Sequence, residues 1–116
     1  MTIFTDERSQ EDNLKTHYYK ASYEQIKNLY LEFLKQNNFT IVSDNDDYFE
    51  IYAEKAHMEV VSKIIMQNPK ETSIDLHINA EFLFGSKKKA YNLLSAIYTY
   101  IEKKYELKGL SLHIDK

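Results

Sequence analysis

Asp75 and His77 are the residues whose types and spacing come nearest to an acid–base pair in this chain. Two positions apart on a predicted strand, they share one face of a sheet, where a carboxylate can orient and charge an imidazole. Tyr52 is expected on the same face. The strand pattern supplies neither a nucleophile nor oxyanion donors, so an enzyme that uses His77 and Asp75 is an alternative and no catalytic residue is assigned.

Asp44, Asp46 and Asp47 resemble the start of a calcium loop, because hard cations take several carboxylate oxygens. The sixth and twelfth positions of such a loop hold Phe49 and Lys55 in place of glycine and glutamate, so we interpret the segment as a turn. The four histidines have neither HxH nor HxxxH spacing. We therefore expect no metal.

Three cations follow Ser86 in the first turn of a predicted helix, at Lys87, Lys88 and Lys89. The positive end of the helix dipole repels them. A phosphate or other anion held by the backbone N–H groups of this turn would reverse that penalty, which makes the four residues a candidate anion contact. Solvated lysines are the plainer interpretation, because exposed charges are screened.

Tyr91, Tyr98 and Tyr105 recur at seven-residue spacing along one flank of the same helix. Tyrosine often buries its ring while its hydroxyl reaches water, so the edge of the core is the plain interpretation. The rim of a pocket and a contact between subunits are the alternatives. Aromatic residues are enriched in C2 interfaces, and we therefore expect a homodimer if this flank or the open sheet face is the contact.

Composition limits the remaining classes of function. The 116 residues, 43% of them apolar, suffice for one domain, and the absence of cysteine excludes disulfides and thiolate chemistry. Two glycines leave no phosphate or dinucleotide loop, so no cofactor is expected. A net charge of −3 and the missing RNA-recognition pattern argue against nucleic acid. With no membrane-length apolar run and no signal-like start, we expect a cytoplasmic protein with no membrane partner.

Apolar residues on every second position predict four strands between residues 39 and 84. Weaker patterns predict a first strand within residues 14–20 and a last one within residues 110–115. Residues 1–13 are polar and are expected to form a flexible lead-in, which leaves residues 14–116 as one α+β domain. The predicted order is β-α-β-β-β-β-α-β, an antiparallel sheet of four to six strands.

Apolar spacings of three and four predict a helix on each side of the central strands. The first begins after Ser22, which forms a capping box with Gln25. The second begins with Ser86 as its N-cap and runs to about Leu107, followed by Gly109 as a left-handed cap. Both helices are expected to cover one sheet face, built by Phe49, Ile51, Val60, Ile64, Ile74, Leu76 and Ile78.

The opposite, open face is then expected to carry a mixed aromatic and polar surface, made by Tyr48, Tyr52, Val61, Ile65, Asp75 and His77. Such a surface suits a protein partner, a second subunit or a shallow ligand site, although a solvated sheet face is the plainer interpretation. We expect a small non-enzymatic binding or regulatory protein that acts through this face or the tyrosine-rich flank. The alternatives are a carrier of a small apolar ligand between sheet and helices, the enzyme above, and an immunity-type neutraliser of a basic partner.

Overall fold

This computed structural model describes residues 1–110 of the chain. Seven strands and two helices, with one short 3-10 turn at Asp12–Leu14, account for most of these residues. The strands and helices are β1 Thr2–Phe4, β2 His17–Tyr19, α1 Tyr23–Gln36, β3 Thr40–Asn45, β4 Glu50–Lys55, β5 Met58–Asn68, β6 Glu71–Ala80, α2 Ser86–Glu102 and β7 Leu107–Leu110. Every strand pair is antiparallel, in one open sheet of order β3-β4-β5-β6-β2-β7 with β1 also on β6. The predicted α+β class is confirmed.

β1 and β2 together form one interrupted strand along the same edge of β6. Ile3 lies opposite Ile78, and Tyr18 lies opposite Ser73. Between them the chain loops out over residues 5–16. The seventh strand is therefore β1, which falls inside the expected lead-in; whether the rest of that lead-in is flexible stays a prediction.

The start of α1 follows its capping residues as predicted. The N–H of Gln25 donates to Ser22 Oγ at 3.2 Å, and the N–H of Ser22 donates to Gln25 Oε1 at 2.9 Å. These two bonds satisfy two of the backbone donors that a helix start leaves free, which confirms the predicted capping box.

α2 differs from its prediction at both ends. Its N-cap is Gly85, whose φ of +74° lies in the left-handed region that a residue without Cβ adopts easily, and Ser86 is already helical. The helix ends at Glu102 and not near Leu107, because the chain turns there and pairs β7 with β2. Gly109 lies within β7 and does not cap the helix. The rest of the predicted last strand lies outside the described residues.

The core lies between the two helices and one face of the sheet. The covered face is nearly inaccessible at six of the seven predicted positions: Ile51, Val60, Ile64, Ile74, Leu76 and Ile78. Burial of each such side chain contributes about 1.5 to 3 kcal/mol before the loss of chain entropy. Phe49 is the correction: it lies in the β3–β4 turn with φ +59°, is 45% exposed, and its ring is T-shaped to that of Tyr23. No helix within residues 1–110 is long and apolar enough to cross a membrane.

Candidate functional site

A row of four side chains crosses the open face of the sheet at its centre. Tyr52 of β4 lies opposite Val61 of β5, Val61 lies opposite His77 of β6, and His77 lies opposite Phe4 of β1. The rings of Phe4 and His77 are stacked, with centroids 6.1 Å apart and planes 23° from parallel. We call these four residues the cross-strand row. It joins three predicted site residues to one, Phe4, that the sequence pattern does not single out.

Phe4 escapes prediction because its strand is short and lies in a segment whose polar composition indicates a lead-in. It is 53% exposed, while its neighbour Ile3 points into the core. The alternation of Thr2, Ile3 and Phe4 is the signal that could have identified it, although three residues are few for a periodic pattern.

A hydrogen-bonded rim borders the cross-strand row on one side. The Tyr52 hydroxyl donates to Glu59 Oε2 at 2.6 Å, Asn79 Nδ2 donates to Glu59 Oε1 at 3.4 Å, and Thr2 Oγ1 donates to Asn79 Oδ1 at 2.9 Å. The hydrogen bond from Tyr52, followed by that from Asn79, lowers the pKa of Glu59. The same bond to Glu59 raises the pKa of Tyr52 to about 12. Both groups therefore keep a fixed charge state at neutral pH.

The row and its rim enclose a depression of about 220 Å³, lined by Tyr52, Glu59, Val61, His77 and Asn79. Sites that bury a small molecule have volumes of roughly 300 to 1,000 Å³. The depression is smaller and is open to solvent on the sheet face. Its size suits one or two side chains of a protein partner better than a whole ligand.

Asp75 shares the open face with His77, as predicted, but its hydrogen bonds are made elsewhere. Its Oδ1 accepts from Thr5 Oγ1 at 2.7 Å and from Thr16 Oγ1 at 2.8 Å, at the place where β1 and β2 separate. Burial raises the pKa of Asp75, and the two threonine hydrogen bonds oppose that rise. Within residues 1–110 no hydrogen bond joins Asp75 to His77. The hydrogen bonds of Asp75 instead connect the end of β1 to the start of β2.

The two remaining predicted face residues lie apart from the row. Ile65 lies on β5 opposite Ser73, two pleats along from Val61, and is half-buried. Tyr48 lies in the β3–β4 turn and is 65% exposed. The structure therefore concentrates the open-face candidates around Val61 and leaves Tyr48 at the end of a hairpin.

The three flank tyrosines are not brought onto one exposed surface. Tyr98 is buried, its ring stacked on His17 with centroids 3.5 Å apart, and its hydroxyl donates to the Ile74 carbonyl at 3.4 Å. Tyr91 donates to Glu11 Oε2 at 3.2 Å across the loop between β1 and β2. Tyr105 follows the end of α2 and is half-buried. Tyr98 therefore belongs to the core, the plain interpretation of that position.

The candidate anion contact, Ser86 to Lys89, follows two exposed apolar residues, Leu83 and Phe84, which we call the tip. Ser86 Oγ accepts from the Phe82 N–H at 2.8 Å and donates to the Phe82 carbonyl at 3.1 Å. Lys89 Nζ lies 4.0 Å from the centroid of the Phe82 ring. Between Phe82 and the helix, Leu83 and Phe84 are 89% and 79% exposed. The sequence gives no separate signal for these two residues, because the alternating sheet pattern ends at Phe84.

The acidic hairpin turn is partly neutralised by α1. Lys27 Nζ lies 3.1 Å from Asp44 Oδ2 and 3.1 Å from Asp46 Oδ1. The Asp47 N–H donates to Asn45 Oδ1 at 3.0 Å, a side-chain-to-backbone bond typical of turns. Two of the three carboxylates thus already have a cationic partner within the chain.

An apolar groove of about 530 Å³ lies on the helix side, between the helices and the β4–β5 turn. The apolar side chains among those that line it include Phe33, Met58, Phe82, Leu93 and Ala96. Lys55 and Lys89 also line the groove, each over an aromatic ring, Phe39 and Phe82 respectively. Its volume falls in the range of small-molecule sites, but the groove is more open to solvent than the depression on the sheet face.

Comparison of the chain with protein-family models, with curated proteins and with solved structures gives no match. The surfaces themselves must therefore carry any functional argument. Two of them combine apolar area with placed polar groups: the open sheet face around Val61, and the groove beside Phe82.

Proposed function

We propose that this chain is a small non-enzymatic binding protein whose contact surface is the open sheet face, centred on the cross-strand row. The observation that carries the proposal is the register that sets Phe4, His77, Val61 and Tyr52 side by side on four neighbouring strands. An apolar and aromatic centre with a polar rim is the usual composition of a protein contact surface. Strands hold these side chains in place, so little conformational freedom is lost when a partner binds.

The charges around the row favour a partner with basic groups. Glu50, Glu54 and Glu59 lie on the same face of β4 and β5, where Lys63 is the neighbouring cation. Complementary charge speeds association and selects among partners. A second copy of the chain, the homodimer expected from sequence, would bring the same three carboxylates to the contact. A basic protein is therefore the first proposal and the homodimer the second.

In-cell photo-crosslinking tests this surface and needs no identified partner. A photoreactive phenylalanine analogue replaces Val61 in one variant and His77 in another, in the protein's own host. The matched controls carry the analogue at Lys35 or at Ser95, both exposed on the helices. We expect a discrete adduct from positions 61 and 77 and none from the controls.

The mass of the adduct separates the two occupants. A mass of twice the chain identifies a homodimer, and any other discrete protein mass identifies a different partner. Equal yields from all four positions, or no adduct from the open face, would rule out this surface as the contact. A change of Glu59 to Lys is expected to lower the yield if the partner is basic.

A carrier of a small apolar ligand is a second candidate, and the groove on the helix side favours it. Native mass spectrometry of protein purified gently from its host reports any retained ligand as added mass. Ala96→Phe places a ring in the groove, whereas Ser95→Phe adds the same ring to the neighbouring exposed position of α2. An adduct lost only in the Ala96 variant would support the carrier; protein with no added mass would count against it.

A further inference from the structure

Leu83 and Phe84 are the most exposed large apolar residues among residues 1–110, at 89% and 79%. The base of this tip is anchored. Phe82 packs against the core and bonds to Ser86 through its backbone, and Gly85 then reverses the chain with φ +74°. The tip is thus held out from the fold by ordered neighbours on both sides.

The surroundings of the tip are cationic. Lys87, Lys88 and Lys89 follow it after Gly85 and Ser86, and the first turn of α2 has no acidic residue. Within the described residues none of the three lysines forms an ion pair. The nearby Glu81 is paired with the N-terminal amine of Met1 at 2.9 Å. The helix dipole adds further positive potential at this end of α2.

We propose that the Leu83–Phe84 tip and the lysines that follow it bind the surface of an anionic lipid bilayer. Two projecting apolar side chains beside several lysines match an interface in which an acyl layer lies beneath anionic headgroups. The headgroups also offset the repulsion between the helix dipole and the lysines. The expectation of no membrane partner rests on the lack of a spanning segment, which an interfacial tip does not need.

Charge argues against a second copy as the occupant of this tip. A symmetric contact would bring three more lysines against Lys87, Lys88 and Lys89, and like charges repel. The tip lies in the β6–α2 connection and shares no residue with the cross-strand row, so this proposal stands or falls independently of the proposed protein contact.

Fluorescence provides a direct test, because the chain contains no tryptophan. Phe84→Trp places the single reporter in the tip, and Tyr48→Trp places it in the exposed β3–β4 turn as the matched control. With vesicles of phosphatidylcholine and phosphatidylglycerol we expect the emission of the tip variant to shift to the blue and the control to stay unchanged. The shift should vanish near 1 M salt, where charges are screened beyond about 3 Å.

Cosedimentation with the same vesicles separates the two contributions. Leu83→Ser with Phe84→Ser should abolish binding, and Lys88→Gln alone should weaken it about fivefold, as expected for one cation near an anionic surface. Lys103→Gln, in the exposed segment at the other end of α2, is the matched control and should leave binding unchanged. Urea unfolding of each variant checks that these exposed changes leave the fold intact.

Two results would overturn the proposal: tip emission that stays unchanged with anionic vesicles, or equal binding to vesicles of pure phosphatidylcholine. Polyglutamate serves as a probe for the competing occupant, an acidic protein. A blue shift with polyglutamate and none with vesicles would assign the tip to such a protein and not to a bilayer.

Discussion

The two faces of β5 and β6 differ although they come from the same strands in alternation. On the covered face Val60 and Leu76 are at most 1% exposed, whereas on the open face Val61 is half-buried and His77 is exposed. Because successive side chains of a strand point to opposite sides, one pair of strands supplies both a core and the proposed contact surface. Stability should therefore depend on one face and partner binding on the other.

Truncation of one residue on each face should give the largest contrast. Leu76→Ala removes a fully buried side chain and should lower the free energy of unfolding by about 2 to 5 kcal/mol. Val61→Ala, at the centre of the cross-strand row, should lower it by at most about 1 kcal/mol. Urea unfolding followed by circular dichroism measures both. Similar losses in the two variants would contradict the assignment of the core to one face.

A histidine on the covered face should make stability depend on pH. Burial lowers the pKa of His17 to about 4, and its hydrogen bond to the Lys15 carbonyl only partly offsets this. The unfolded chain, with a pKa near 6.5, then binds the proton more readily than the folded one. The contribution of neutral His17 is present above pH 6.5 and is lost as pH falls towards 4.

The measured quantity is the difference between the wild type and His17→Phe, which keeps a ring against Tyr98. Between pH 7 and pH 5 the wild type should lose about 2 kcal/mol more of its unfolding free energy than the variant. An identical pH dependence in the wild type and His17→Phe would show that His17 is not the titrating group.

Two threonines on the open face donate to partners of different burial. Thr16 donates to Asp75 where the strand interruption is closed, and Thr2 donates to Asn79 at the exposed rim. Thr16→Val should lower the unfolding free energy by about 1 to 2 kcal/mol, because it removes a donor to a largely buried carboxylate. Thr2→Val should change it by less than about 0.5 kcal/mol. If the order is reversed, Asp75 does not hold β1 and β2 together.

The local sequence pattern was enough to predict the helices and strands that are long and regular. The alternation in β6 separates Ile74, Leu76 and Ile78 from Asp75 and His77, and the structure keeps both sets as predicted. The Ser22 capping box was equally readable, because both of its partners lie within one helical turn. These features depend on neighbours in sequence.

The features that were missed depend on distant partners or on backbone angles. Phe4 gains its place in the row from His77, 73 positions away in the chain. Phe49 fits the alternation of β4, yet the turn places it at positive φ and turns it out of the core. For Tyr98 the core position was the plain interpretation, and only its stacking on His17 across the fold was missed. Seven-residue spacing is the same for a buried and an exposed helix position.

The most direct test of the account is the yield of photo-crosslinked adduct from position 61, measured against position 35 in the same host cells. If the open face is the contact surface, position 61 gives one discrete adduct, position 35 gives none, and Glu59→Lys reduces the yield at position 61. No adduct at position 61, or the same adduct at both positions, would contradict the claim that the cross-strand row binds a partner.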